Sequence, residues 1–272
     1  MTLLKDDGES VQTAIKTSFD VLPKAEQDAL VLMSVFPGSF DCDAAEAVIR
    51  NSLDPGSLPV SILRSLKNRS LVEQPRSRRY QLHPLIRAFA KEIDQTKPEP
   101  PLLNGGQKLA CAHFMSCLDQ NAKKYWNKDA CKAAIECFIE ERHNFENFLQ
   151  VYAERMENHD QGIVDSCKPF LDDFLQKCMY LEMCVSPEFS IHVLERLLKS
   201  FSEPVIQSVR SVEIMCLLGH EERKKGDRAN YKVSIEKAKL LYTENRTEFV
   251  TNPLSEIFKR YCFKQRASHE AQ

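Results

Sequence analysis

The sequence predicts a mainly α-helical fold in two parts, a winged-helix domain over residues 1–94 and a helical array over residues 107–272, joined by a linker at 95–106. Three observations carry this expectation. The chain of 272 residues has only 8 glycines and few stretches of strand-like alternation, which favours helix over sheet. Apolar residues recur at three- and four-residue steps through most of its length. Two short strand-like stretches flank a charged turn around Ser77, directly before another amphipathic helix.

Val11, Ile15, Phe19 and Leu22 set the period of a first helix that ends at Leu22-Pro23. A second helix over residues 24–35 carries Leu30, Val31, Leu32 and Met33 in an almost continuous apolar run, which places it centrally. Phe36-Pro37-Gly38 cannot extend it. Asp41 or Asp43 caps a third helix running to Ile49, because a carboxylate there accepts the unpaired amides of the first turn. After the Asp54-Pro55-Gly56 turn, Ser61 opens a fourth helix with Ile62, Leu63 and Leu66 inward and Arg64, Lys67 and Arg69 outward. Residues 71–73 and 80–82 read as strands around the hairpin Pro75-Arg76-Ser77-Arg78-Arg79. His83 stands at the next junction, Pro84 suits a first helical position, and Leu85, Ala88, Phe89 and Ile93 give the closing helix its apolar face.

Lys97-Pro98-Glu99-Pro100-Pro101 and Asn104-Gly105-Gly106 suit neither helix nor central strand, which sets the linker. Beyond it, Leu109, Cys111, Phe114, Met115 and Leu118 line one helix. Ala133, Phe138, Phe145, Phe148 and Tyr152 mark a second long segment, with a break expected near Arg142. Further helices are expected over residues 163–183, 188–201, 204–225, 228–242 and 253–264, paired antiparallel and stacked in a row as in an α-solenoid.

Thirty-seven basic against 39 acidic residues, a formal charge of -2, argue against a nucleic-acid or anionic-membrane surface over the whole molecule. The first residues lack the apolar core of a secretion signal, and no 18-residue apolar run occurs. A cytoplasmic protein with no membrane contact is expected, and its ten cysteines are expected to be reduced.

Catalytic chemistry is also missing. No glycine stands in a Gly-x-x-x-x-Gly-Lys-Ser/Thr loop, whose backbone amides cradle phosphates, so the chain is expected to be no enzyme, with no catalytic residue and no cofactor of its own. Cys111 with Cys117, and Cys131 with Cys137, are six residues apart, which on a helix separates the thiols by about 240°. His220-Glu221-Glu222-Arg223-Lys224 lacks the second histidine of a zinc-protease helix, and the adjacent Asp172 and Asp173 diverge on a helix. No metal site is expected.

Ser18-Phe19-Asp20-Val21-Leu22-Pro23, Leu32-Met33-Ser34-Val35-Phe36-Pro37 and Leu82-His83-Pro84-Leu85-Ile86-Arg87-Ala88-Phe89-Ala90, in that order, resemble the winged-helix portion of STAND (NB-ARC-like) signalling NTPases. That family includes plant disease-resistance proteins and the apoptotic protease-activating factor. The match covers about residues 10–94. It implies a winged helix that packs on an ADP- or ATP-binding core, in cis or in trans. It also implies that His83 matches the histidine of a Met-His-Asp motif that meets the bound ADP; Leu82 and Pro84 here replace the methionine and the aspartate. An imidazole can donate to a phosphate oxygen at short range. Phe138-Ile139-Glu140-Glu141-Arg142-His143-Asn144-Phe145 resembles the acidic, asparagine-bearing helix that introduces the helical-repeat part of such proteins. Leu218-Gly219, Gly226-Asp227, Ile235 and Ala238 resemble positions of one tetratricopeptide (TPR) unit, with Tyr231 where that pattern has alanine. The resemblance implies TPR-like repeats that bind protein partners, with innate immunity or cell death as the family's settings.

Arg64, Lys67 and Arg69 on the fourth helix, with Arg76, Arg78 and Arg79 on the hairpin, form a candidate partner or nucleic-acid surface. The leading expectation is therefore a non-enzymatic regulatory and scaffolding chain of STAND type. A winged-helix nucleic-acid binder and a stand-alone helical-repeat adaptor are the alternatives.

Overall fold

A computed structural model of the chain describes residues 3–50, 58–96, 101–167, 174–200 and 206–244; for 3–10, 161, 164, 166, 174–176 and 206–209 it describes the backbone only. The fold is mainly α. In chain order the elements are α1 (Leu3–Asp20), α2 (Lys24–Met33), α3 (Cys42–Ile49), α4 (Pro59–Asn68), β1 (Glu73–Arg76), β2 (Arg79–Gln81) and α5 (Pro84–Gln95). Then follow α6 (Leu102–Tyr125), α7 (Cys131–Glu157), α8 (Gln161–Ser166), α9 (Phe174–Glu182), α10 (Pro187–Ser200), α11 (Ile206–Lys225) and α12 (Arg228–Glu244). Two compact units divide the chain, one of residues 1–117 and 140–148, the other of 118–139 and 149–272.

In the first unit the apolar run of α2 is central, as its sequence requires: Leu30, Val31, Leu32 and Met33 are all buried. The helix stops at Ser34, whose hydroxyl donates to Val31 O at 2.6 Å. Of the two candidate caps for α3, Asp41 is the one used; its carboxylate accepts from Ala44 N at 2.8 Å. β1 and β2 pair antiparallel, and Phe40 adds a third, one-residue rung by exchanging two 2.8 Å hydrogen bonds with Tyr80. Four helices, the hairpin and then α5 follow one another in the chain order read from the sequence. The hairpin strands lie two residues later and one earlier than the sequence suggested, because Ser70 and Arg78 take left-handed conformations that set the turns.

The stretch read as a linker is partly helix. Pro101 is irregular, but α6 starts at Leu102 and runs through Gly105 and Gly106, and residues 97–100 lie outside the described residues. Asp94, only 1% exposed at the end of α5, accepts from Leu102 N and Leu103 N at 3.0 Å each, so the cap of α6 comes from the preceding helix. Gly106 is a packing residue: a Cβ there would stand 2.8 Å from Leu32 Cδ2 and 3.4 Å from Val35 Cγ1. Asp94→Ala removes both first-turn acceptors at once and is expected to cost about 1–2 kcal/mol in urea unfolding, the upper range for loss of a cap. A change below about 0.3 kcal/mol, within the scatter of ordinary surface substitutions, would show that solvent replaces that carboxylate.

Phe36, Phe40, Phe114, Phe145 and Phe148 form the aromatic heart of this unit. Phe36 stacks on Phe40 with centroids 4.5 Å apart, and Phe114 on Phe148 at 5.1 Å. Phe145 meets Phe114 edge-on at 5.7 Å. The break expected near Arg142 does not occur: α7 is continuous from Cys131 to Glu157 because its apolar period carries through that position.

In the second unit Tyr180 of α9 is fully buried against Phe138 and Tyr125, and its hydroxyl donates to Ala134 O at 2.7 Å. α10 packs on α11, and α11 on α12. Gly219 lets those last two helices close, since its missing Cβ would meet Ile235 at 3.1 Å. Val212, Cys216 and Ala238 are buried between them. Gly226, at φ 88°, ends α11, with Asp227 N donating to Glu222 O at 2.9 Å. Of the segment anticipated as one helix over 163–183, α8 ends at Ser166 with Cys167 as its cap and α9 covers Phe174–Glu182, while residues 168–173, like the helix anticipated over 253–264, lie outside the described residues. The nine described cysteines are free thiols.

Candidate functional site

The six cations singled out from the sequence do not share one environment. Arg64, Lys67, Arg69, Arg76 and Arg78 are exposed on α4, its C-terminal turn and the hairpin. Lys67 Nζ donates to Gln74 Oε1 at 2.6 Å, tying α4 to β1. Arg79 departs from this set. It is 6% exposed, pairs through Nη1 with Glu141 Oε1, and donates through Nη2 to Ser39 O at 2.6 Å. Strand alternation turns it inward from the same hairpin that presents Arg78 to solvent.

The network extends further. Asn144 Nδ2 donates to Ser39 O and to Glu141 Oε2, both at 2.7 Å. Asn144 is 1% exposed. Burial opposes the Arg79 cation, but the hydrogen bond and charge of Glu141 outweigh it and raise its pKa above the ordinary value. Close by in the same unit, a Cβ on Gly38 would stand 3.2 Å from His143 Cβ, so the turn after α2 lies against α7. The glutamate and asparagine of the 138–149 block are thus fixed within the hairpin's own compact unit.

His83 is exposed and caps α5, its Nδ1 accepting from Leu85 N at 3.3 Å. That bond assigns it a local structural role, with Pro84 at the first helical position beside it. The neighbouring Arg87 donates to Leu82 O at 3.3 Å, and burial lowers its pKa. An open groove of about 400 Å³ lies between α1 and α5, walled by Val11, Ile15, Leu85, Ala88 and Phe89.

The second unit holds an apolar cavity of about 40 Å³, lined among others by Leu149, Leu181, Val193, Leu197, Glu182 and Glu221. It is far below the few hundred Å³ of a small-molecule site. Glu182, at the end of α9, meets His220 Nε2 of α11 at 2.8 Å, and Lys224 Nζ stands 3.4 Å from the same carboxylate oxygen. The His220 hydrogen bond, opposed by burial and aided by Lys224, lowers the Glu182 pKa; burial raises that of Glu221, partly offset by Lys224. The His220-Glu221 run alone does not mark this cluster, since Glu182 comes from another helix. Asp172 and Asp173 lie outside the described residues, and among those described no helix is long and apolar enough to cross a membrane.

No family model and no curated protein sequence matches the chain. Among solved structures the chain is similar to a Signal Transduction ATPase with Numerous Domains (STAND) protein with a tetratricopeptide repeat sensor from Pyrococcus horikoshii. The identity is 15%, the TM-score 0.35, and 92% of this chain is covered. The chain spans 37% of that protein's length.

Proposed function

We propose that this chain is a non-enzymatic regulatory and scaffolding part of a STAND-type signalling protein, with its winged helix packing on an ADP- or ATP-binding core and its helices offering a surface to protein partners. One observation carries the reading: the Arg79–Glu141–Asn144–Ser39 network. Residues from four of the blocks that resemble the family, at 18–23, 32–37, 82–90 and 138–145, supply parts of one compact unit. Phe36 enters the aromatic core, His83 caps α5, and the acidic block supplies the carboxylate and amide that hold the hairpin. The paired helices α11 and α12, closed by Gly219 and Ala238, suit a repeat that recognises protein. A cytoplasmic setting in immunity or cell-death signalling accords with this reading.

Two experiments test it. The transcript immediately upstream is expected to encode a phosphate loop in frame, and a clear lack of one there counts against the nucleotide-binding core. With that core joined in cis, His83→Ala is expected to speed ADP release, while an unchanged release rate assigns His83 to capping alone.

The second reading, a winged-helix nucleic-acid binder, is favoured by the five exposed cations on α4, its C-terminal turn and the hairpin. Titration of duplex DNA at 50 and 200 mM salt separates the two. Genuine phosphate contacts lose affinity steeply between those concentrations, by about 10³-fold or more for six or more contacts. The expected result is no salt-dependent binding at either concentration. Binding at low salt that Arg76→Ala and Arg78→Ala abolish would replace the scaffolding reading with this one.

A further inference from the structure

We propose that Glu182, His220 and Glu221 form a binding site for one divalent transition-metal ion of the Zn²⁺ class, clipping the end of α9 to α11. Glu182 arrives from α9, while His220 and Glu221 are consecutive on α11. Their donor atoms all lie within 4.8 Å of one another, with Glu182 Oε1 and His220 Nε2 at 2.8 Å. An ion with bonds of about 2.0–2.2 Å holds its ligand atoms roughly 3–4.3 Å apart, so small side-chain adjustments complete the set.

A second observation is independent of that proximity. Glu221 has a side chain only 6% exposed, and its Oε2 accepts no hydrogen bond. Lys224 Nζ stands 3.4 Å from this oxygen and 3.4 Å from Glu182 Oε1. Charge-assisted hydrogen bonds are shorter, about 2.7–2.9 Å. Lys224 donates to the other oxygen of this carboxylate, Oε1, at a long 3.4 Å, which leaves the buried Oε2 beside a cation but without a hydrogen bond. Lys224 is 32% exposed on a flexible stem, so it can swing to solvent when a dication arrives.

The donor chemistry narrows the ion. Two carboxylates and a neutral imidazole supply two negative charges, which a dication neutralises. The imidazole selects against Mg²⁺ and Ca²⁺, which prefer oxygen alone, and in favour of Zn²⁺ and the Co²⁺ that substitutes for it. Glu182 and Glu221 also line the small apolar cavity, so the ion closes that side of the second unit and its role is structural. The sequence pattern hid the site because the His-Glu-x-x-x run lacks a second histidine, and the third ligand lies 38 residues upstream of His220.

Co²⁺ titration of the full chain, followed by visible d–d absorption, tests the proposal. Saturable one-to-one binding is expected, displaced by Zn²⁺ and indifferent to excess Mg²⁺. His220→Ala and Glu182→Gln are each expected to weaken it by more than about 100-fold, beyond the loss typical of outer-shell partners. Lys224→Met removes the competing cation and is expected to tighten it. Far-UV circular dichroism checks each variant for folding, and if one variant fails to fold, the other two decide. No binding by the wild-type chain overturns the proposal, as does binding that folded His220→Ala or Glu182→Gln retains at full strength.

Discussion

Glu141→Ala is expected to destabilise the first unit by about 3–5 kcal/mol in urea unfolding, the range for removing one partner of a buried ion pair. The side chains of Arg79 and Glu141 are 8% and 12% exposed. Without the carboxylate, a guanidinium that cannot deprotonate keeps only Ser39 to satisfy it. Asn144 also loses one of the two acceptors of its amide. The double variant Arg79→Met/Glu141→Leu is expected to recover most of the loss, since apolar groups of similar volume replace such pairs at little cost. Arg78→Ala, one residue away and exposed, is expected to stay within about 0.5 kcal/mol. A loss below about 1 kcal/mol for Glu141→Ala, the magnitude of a solvated surface pair, would show that water reaches the network.

Arg79 also marks where sequence reading stops. Arg76, Arg78 and Arg79 form one charged cluster by composition, and nothing local in that run says which of them is buried. The partner that decides it is 62 residues away on α7. The helices themselves were legible because an apolar stripe at 3.6-residue spacing is a local signal: α2, α5, α10, α11 and α12 begin and end within two residues of their anticipated bounds. The caps were legible where the capping side chain is adjacent, as at Asp41 and at the His83-Pro84 step. Asp94 defeated the same logic because it caps the helix after the one it belongs to. Two glycines and three prolines near residue 101 looked like a linker, yet Gly106 is there so that α6 can lie against Leu32. The Glu182, His220 and Glu221 cluster belongs with these cases, because tertiary proximity alone creates it.

The acid-sensitive point of the second unit is expected at Asp119. Its carboxylate accepts from Lys123 at 2.7 Å and from Lys177 at 2.8 Å. Burial pushes the Asp119 pKa up, but the two ammonium groups outweigh it and hold it below the ordinary value. The sign follows from that direction. A folded-state pKa below the unfolded value of about 3.9 contributes stability that is present above pH 4 and lost as pH falls through the folded value. Asp119→Asn is therefore expected to flatten the acid limb of a stability profile. Asp119→Ala is expected to cost about 3–5 kcal/mol at pH 7, because Lys177, 3% exposed, loses its carboxylate in a low-dielectric setting. The two lysines are not equivalent. Lys123 is 64% exposed and is replaceable by water, so Lys123→Ala is expected to cost less than about 1 kcal/mol. Lys177→Met leaves Asp119 still paired with Lys123 and fills the buried space with apolar volume, so its cost is expected to fall well short of that of Asp119→Ala. A loss for Lys177→Met as large as that for Asp119→Ala would contradict this, since it would mean that Lys123 does not keep Asp119 paired.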